Sequence, residues 1–88
     1  MSAFWIEMSE HRDRTVLAIV GDVEIEDAPR LTATGMSVLA QRSARLVVID
    51  LARVTYICAT GLAALDRLRV AAVELNKGLV VSHLPAGL

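Results

Sequence analysis

The run from Leu46 to Leu62, which reads LVVIDLARVTYICATGL, constrains the fold of this chain more than any other segment. Arg45–Leu51 is nearly continuous in apolar residues apart from Asp50, a pattern typical of a strand at the centre of a sheet. A short connection follows, and then the small residues Cys58, Ala59, Thr60 and Gly61. The segment therefore predicts a buried strand and a short loop that leads into a helix.

The flanking sequence predicts three more strands and one more helix. Strands are expected over 4–10, over 15–20 with Gly21 as the stop, and over 79–84. The acids of 24–27 ahead of Pro29 predict a helix that runs to about Ser43, and 60–76 predicts a second helix. The order is β-β-α-β-α-β, which indicates an α/β fold with a mixed four-stranded sheet and helices packed on it.

Helical periodicity assigns a buried side and an exposed side to these helices. In the first helix, Leu31, Val38 and Leu39 fall on one side. In the second, the predicted core face consists of Gly61, Leu65, Leu68, Ala72 and Leu75. The opposite face then carries Ala63, Arg67, Val70 and Glu74.

Size and charge exclude several classes of protein. The length of 88 residues predicts one domain over 1–88. The net charge of −1, without clustered basic residues, argues against a nucleic-acid partner. No apolar run approaches the roughly 20 residues that cross a bilayer, and the N-terminus lacks a signal-peptide pattern. With one cysteine and so no internal disulfide, we expect a cytoplasmic protein without membrane insertion.

Several short motifs in this order are similar to those of one known family. They are Gly21-Asp22-Val23-Glu24, Asp27-Ala28-Pro29-Arg30-Leu31, Asp50-Leu51 and Gly61-Leu62. Together they resemble the anti-sigma-factor antagonist (STAS) family. The resemblance implies a STAS-like fold and a regulatory role without enzymatic activity. It also implies a partner, an anti-sigma factor of the ATP-binding kinase type, whose capture releases a sigma factor.

The family motif differs here at the position that is phosphorylated. Family members carry Asp-Ser-Ser-Gly, and the first Ser accepts the phosphate; this chain has Cys58, Ala59, Thr60 and Gly61. Ala59 cannot be phosphorylated, so the resemblance implies a disabled switch. Thr60 is expected to be the helix N-cap, with phosphorylation of Thr60 as the alternative. Cys58 is interpreted as a compact hydrophobe, or alternatively as a redox-sensitive thiol.

The expected partner surface surrounds this loop. Its candidate residues are Asp22, Glu24, Asp27, Leu62, Ala63, Arg67 and Val70. The acids of 22–27, including Glu26, are interpreted as a solvated loop before a helix rather than as a metal cluster. No metal and no cofactor are expected.

Other roles and assemblies stay open on the sequence. A STAS accessory subunit of a membrane lipid-transport ATPase, or a scaffold STAS protein, fits a degenerate phosphosite equally well. An enzyme is disfavoured because the chain offers no Gly-rich phosphate cradle, no paired catalytic carboxylates and no Cys–His pair. The final helix of the family is expected to be absent, and the apolar surface left bare predicts self-association into a homodimer.

Overall fold

The structure is a computed structural model, and it describes residues 3–84. The strands are β1 (Trp5–Glu10), β2 (Thr15–Val23), β3 (Leu46–Ile57) and β4 (Gly78–Ser82). The helices are α1 (Ala28–Leu39) and α2 (Ala59–Glu74), with one turn of 3-10 helix at Ile25–Asp27 before α1. The predicted order β-β-α-β-α-β is confirmed. Residues 85–88, which follow the last predicted strand, lie outside the described residues.

The sheet is mixed and has the strand order β1-β2-β3-β4. β1 pairs with β2 antiparallel, whereas β2, β3 and β4 run parallel to one another. Each parallel crossover passes through a helix, which is the usual way to join parallel strands. The core lies between the sheet and the two helices, and its largest fully buried side chains are Leu17, Ile19, Leu31, Leu39, Ile49, Leu51 and Leu68.

The central strands are longer than the sequence predicted. β3 does not end at Leu51 but continues to Ile57, because β2 also continues beyond Gly21 and pairs Val23 with Ile57. Gly21 adopts φ of 93°, which L-residues rarely adopt, and a Cβ there would overlap the carbonyl of Ala3. Gly21 therefore bends β2 at a bulge instead of ending it.

The helices and the last strand are shorter than predicted. α1 ends at Leu39 instead of Ser43, and the Nζ of Lys77 donates to the carbonyl oxygens of Leu39 (2.6 Å) and Gln41. The bond to Leu39 satisfies a carbonyl group at the helix end, where carbonyl groups lack partners within the helix. α2 ends at Glu74, so Leu75 is 47% exposed rather than part of the core, and β4 ends at Ser82.

The two helices approach each other closely at Gly35. A Cβ at this position would lie 2.5 Å from a methyl group of Leu68, so only glycine allows this separation without a shift. Leu31, Val38 and Leu39 of α1 are buried, as predicted. Within residues 3–84, neither helix is long and apolar enough to cross a membrane.

Candidate functional site

The junction between β3 and α2 consists of the single residue Cys58. Its amide donates to the carbonyl of Val23 (3.0 Å), and its Sγ accepts a hydrogen bond from the amide of Gly61 (3.4 Å). Cys58 is therefore the N-cap of α2, and the prediction that Thr60 caps this helix is wrong. The helix begins two residues earlier than such a cap requires, so Ala59 and Thr60 lie in its exposed first turn.

The acidic segment before α1 is folded rather than a solvated loop. Glu24 and Asp27 form a reciprocal capping box around the 3-10 turn, in which the amide of Glu24 donates to Oδ2 of Asp27 (2.9 Å). Asp27 is only 6% exposed, so its prediction as part of a solvated loop is wrong. A capping box satisfies donors that would otherwise lack partners, which explains why this carboxylate is drawn inward.

Asp22 and Glu26 occupy separate environments, Asp22 before this turn and Glu26 within it. Asp22 lies in β2 and accepts a hydrogen bond from the hydroxyl of Thr55 in β3. Glu26 is exposed. Within residues 3–84, no three His, Cys, Asp or Glu side chains form a group that could hold a metal ion.

A groove of about 500 Å³ opens between the N-terminal halves of α1 and α2. One wall consists of Ile25, Ala28, Pro29, Thr32 and Ala33. The other consists of Thr60, Ala63, Ala64 and Arg67 of α2. The groove thus brings together three residues that the sequence singled out, namely Thr60, Ala63 and Arg67. We call this site the α1–α2 groove.

Ile25 is a residue of the groove that the sequence reading missed. It is 68% exposed although it is a large aliphatic side chain. The sequence does contain a signal of this exposed position. Ile25 is an apolar residue between the acids Glu24 and Glu26, in a turn where a polar side chain is expected. Ile25 therefore extends the apolar wall of the groove toward solvent.

Leu62 lies on the other side of α2. It lines a second, shallower groove of about 240 Å³ with Leu65, Asp66, Arg69, Val81 and Leu84. Leu62 is therefore separated by the helix from Ala63 and Arg67, with which the sequence reading grouped it. Val70 is 44% exposed and lies three residues beyond Arg67, on the side of α2 that carries Ala63.

Two arginines of α2 differ in their electrostatic surroundings. Arg69 donates to the Oδ1 of Asp66 from both Nε (3.0 Å) and Nη2 (2.9 Å), so its charge is paired. Arg67 forms no ion pair with any of residues 3–84. The α1–α2 groove therefore has mostly apolar walls, and the cation at its rim has no ion-pair partner among residues 3–84.

Comparison with known proteins identifies the family. The family model described as "Mlab, STAS domain" matches residues 6–88. The match spans nearly the whole chain, and the strand order and helix order agree with it. The chain belongs to the STAS domain family, as its motifs predicted. No curated protein sequence matches the chain.

Solved structures of STAS proteins share this fold. An anti-sigma factor antagonist from Mycobacterium paratuberculosis superposes with a TM-score of 0.79 at 25% identity, covering 92% of this chain and 70% of that one. The Bacillus cell fate determinant SpoIIAA in its phosphorylated form gives 0.74 at 13% identity, covering 94% and 75%. A STAS-domain antisigma-factor antagonist from Rhodobacter sphaeroides gives 0.72 at 13% identity, covering 89% and 84%.

Proposed function

We propose that this protein is a regulatory binding module that captures an anti-sigma factor of the ATP-binding kinase type and so releases a sigma factor. The observation that carries the proposal is the exposed start of α2 beside the α1–α2 groove, in a chain that belongs to the STAS family. The similar structure from Mycobacterium paratuberculosis is that of an anti-sigma factor antagonist. On this proposal the protein works in the cytoplasm, without a cofactor.

The proposal includes a site that is not switched by a serine kinase. Ala59 is the first residue of α2, and the resemblance to the family motif implies that it stands where the family has its phosphoacceptor. A phosphate there would face the unpaired amides of the helix N-terminus and would add nearly two negative charges. Since Ala59 has no hydroxyl group, we infer that the partner surface keeps the form it has without phosphate.

The test is a titration with the purified kinase-type anti-sigma factor encoded in the same genome, in the presence of ATP. We expect saturable binding by calorimetry and no phosphate on Thr60 by mass spectrometry. Thr60→Glu places a carboxylate at the exposed first turn of α2 and should weaken binding about tenfold or more. Ser43→Glu, in the exposed turn after α1, is the matched control and should bind like the wild type.

A stoichiometric phosphate on Thr60 would contradict the unswitched site. Failure of the wild type to bind any such anti-sigma factor would contradict the proposed partner. The second candidate is an accessory subunit of a membrane lipid-transport ATPase. The lack of a hydroxyl group at Ala59 favours it, since a permanent subunit has no need of a phosphoacceptor there. Binding to the purified ATPase subunit in a parallel titration would select this role.

A further inference from the structure

We propose that the α1–α2 groove receives a single α-helix of the partner, which is apolar where it faces the groove and places an Asp or Glu beside Arg67. This inference rests on the proposed function in that it describes the partner of the same site. It adds the secondary structure of the segment that binds, its chemistry and the position of its acidic residue.

The walls of the groove favour a helix over a strand. Both walls are formed by helical segments, and beyond the first turn of each helix their backbone groups pair within the helix. An added strand needs an open sheet edge, which these walls do not offer. A helix needs only side-chain packing, and the alanines at positions 28, 33, 63 and 64 allow close approach. Packed helices lie about 8–10 Å apart between axes, depending on the side chains at the contact, and small residues favour the short end of this range.

The length of the groove sets the length of its occupant. Thr60 and Arg67 both line it, and they are separated by about 10 Å along α2 at 1.5 Å per residue. About two turns of helix span this distance, and one further turn for the two ends gives an occupant of about three turns. At the other end, Ile25 is exposed and would be covered by the first apolar residue of such a helix.

Charge determines at which end of the groove the acidic residue of the helix lies. Arg67 is the charged residue that lines the groove, and it forms no ion pair with any residue in the described range 3–84. Glu26 is exposed at the opposite end, next to Ile25. An acidic residue of the partner is therefore attracted at the Arg67 end and repelled at the Ile25 end. An acidic residue of the partner would be attracted less strongly to Arg69, because Asp66 already pairs with the charge of Arg69.

The experiment uses a display library of designed helices of about three turns, with random apolar residues on one face and Glu, Gln or Lys at one end. Clones are selected on the wild-type protein and then sorted for loss of binding to Ala63→Leu, which fills the groove from an exposed position. Ser43→Leu adds an exposed leucine away from the groove and is the matched control for this sorting.

We expect the clones that bind the wild type but not the Ala63→Leu variant to carry Glu, rather than Gln or Lys, at the varied end of the helix. Arg67→Glu should weaken them about tenfold, and exchange of their Glu for Lys should restore binding to Arg67→Glu. Arg69→Glu is the matched control and should leave their affinity unchanged. The inference is overturned if no clone is sensitive to Ala63→Leu, or if the sensitive clones show no preference for Glu. Neither result depends on whether the native partner is an anti-sigma factor, which the titration decides separately.

Discussion

At the scale of single residues, Cys58 determines how α2 begins. Its Sγ accepts the hydrogen bond from the amide of Gly61 at 3.4 Å, and sulfur is a weak acceptor compared with a carboxylate or hydroxyl oxygen. The first turn of α2 also contains no acidic residue to interact with the positive end of the helix dipole. The helix therefore starts at a weak cap, and its N-terminus can be strengthened by substitution.

We predict that Cys58→Asp raises the free energy of unfolding by about 0.5–1 kcal/mol, because an aspartate is a better N-cap and complements the dipole. Thr60→Ala should change it by less than about 0.5 kcal/mol, since Thr60 is exposed and does not cap the helix. Urea denaturation of these two variants, of Cys58→Ala and of the wild type measures the free energies of unfolding that are compared. A larger loss for Thr60→Ala than for Cys58→Ala would show that the cap is Thr60 after all.

At the scale of secondary-structure elements, the sequence predicted the order of strands and helices but not all of their ends. The order follows from hydrophobic periodicity and from helix-start signals such as Pro29, which are local. The extension of β3 to Ile57 depends on pairing with Val23 of β2, and the end of α1 at Leu39 depends on Lys77. These are long-range contacts, which no window along the chain contains.

The same contrast applies to the candidate site. Ala63 and Arg67 could be placed on the exposed side of α2 because helical spacing alone decides it. Asp27 was predicted as part of a solvated acidic loop, whereas its carboxylate caps the turn before α1 and is buried. The contribution of Ile25 to the groove depends on how the 3-10 turn packs near α2, a tertiary contact that the sequence does not reveal.

A cross-strand link on the open side of the sheet gives a prediction about pH. Glu7 of β1 accepts hydrogen bonds from Nε1 of Trp5 (3.0 Å) and from Nη1 of Arg53 in β3 (2.8 Å). The Trp5 hydrogen bond, followed by the hydrogen bond and charge of Arg53, lowers the pKa of Glu7 below its usual 4.5. A lowered pKa stabilises the fold above the unfolded pKa, and this contribution is lost as the pH falls through the folded value.

We therefore expect the Glu7 carboxyl to titrate below pH 4.5 in an NMR experiment on the folded protein. Trp5→Phe and Arg53→Gln should each raise its pKa, since each removes a donor to the ionised form. Arg12→Gln, in the exposed turn between β1 and β2, is the control and should not move it. A wild-type Glu7 that titrates at or above 4.5 would show that this link does not persist in solution.

At the scale of the whole molecule, the two edges of the sheet differ. The edge strand β1 carries Glu7 and Glu10, and charges on an edge discourage pairing with another chain. The other edge, β4, reads GLVVS and contains neither a charged residue nor a proline. Within the described part of the chain β4 pairs with β3 alone, and Val80 is 48% exposed in register with Val48 and Val16.

The last prediction is that the protein self-associates through β4. Antiparallel pairing of β4 with β4 of a second copy would join two sheets into one, and the interface would be the same surface on both copies. Val80→Lys places a charge on this edge and should shift the protein to monomer in a sedimentation-velocity concentration series. Met8→Lys, on the β1 edge, is the matched control and should leave the association unchanged. A wild type that sediments as a monomer throughout the series, or a Val80→Lys variant that still dimerises, would contradict association through β4.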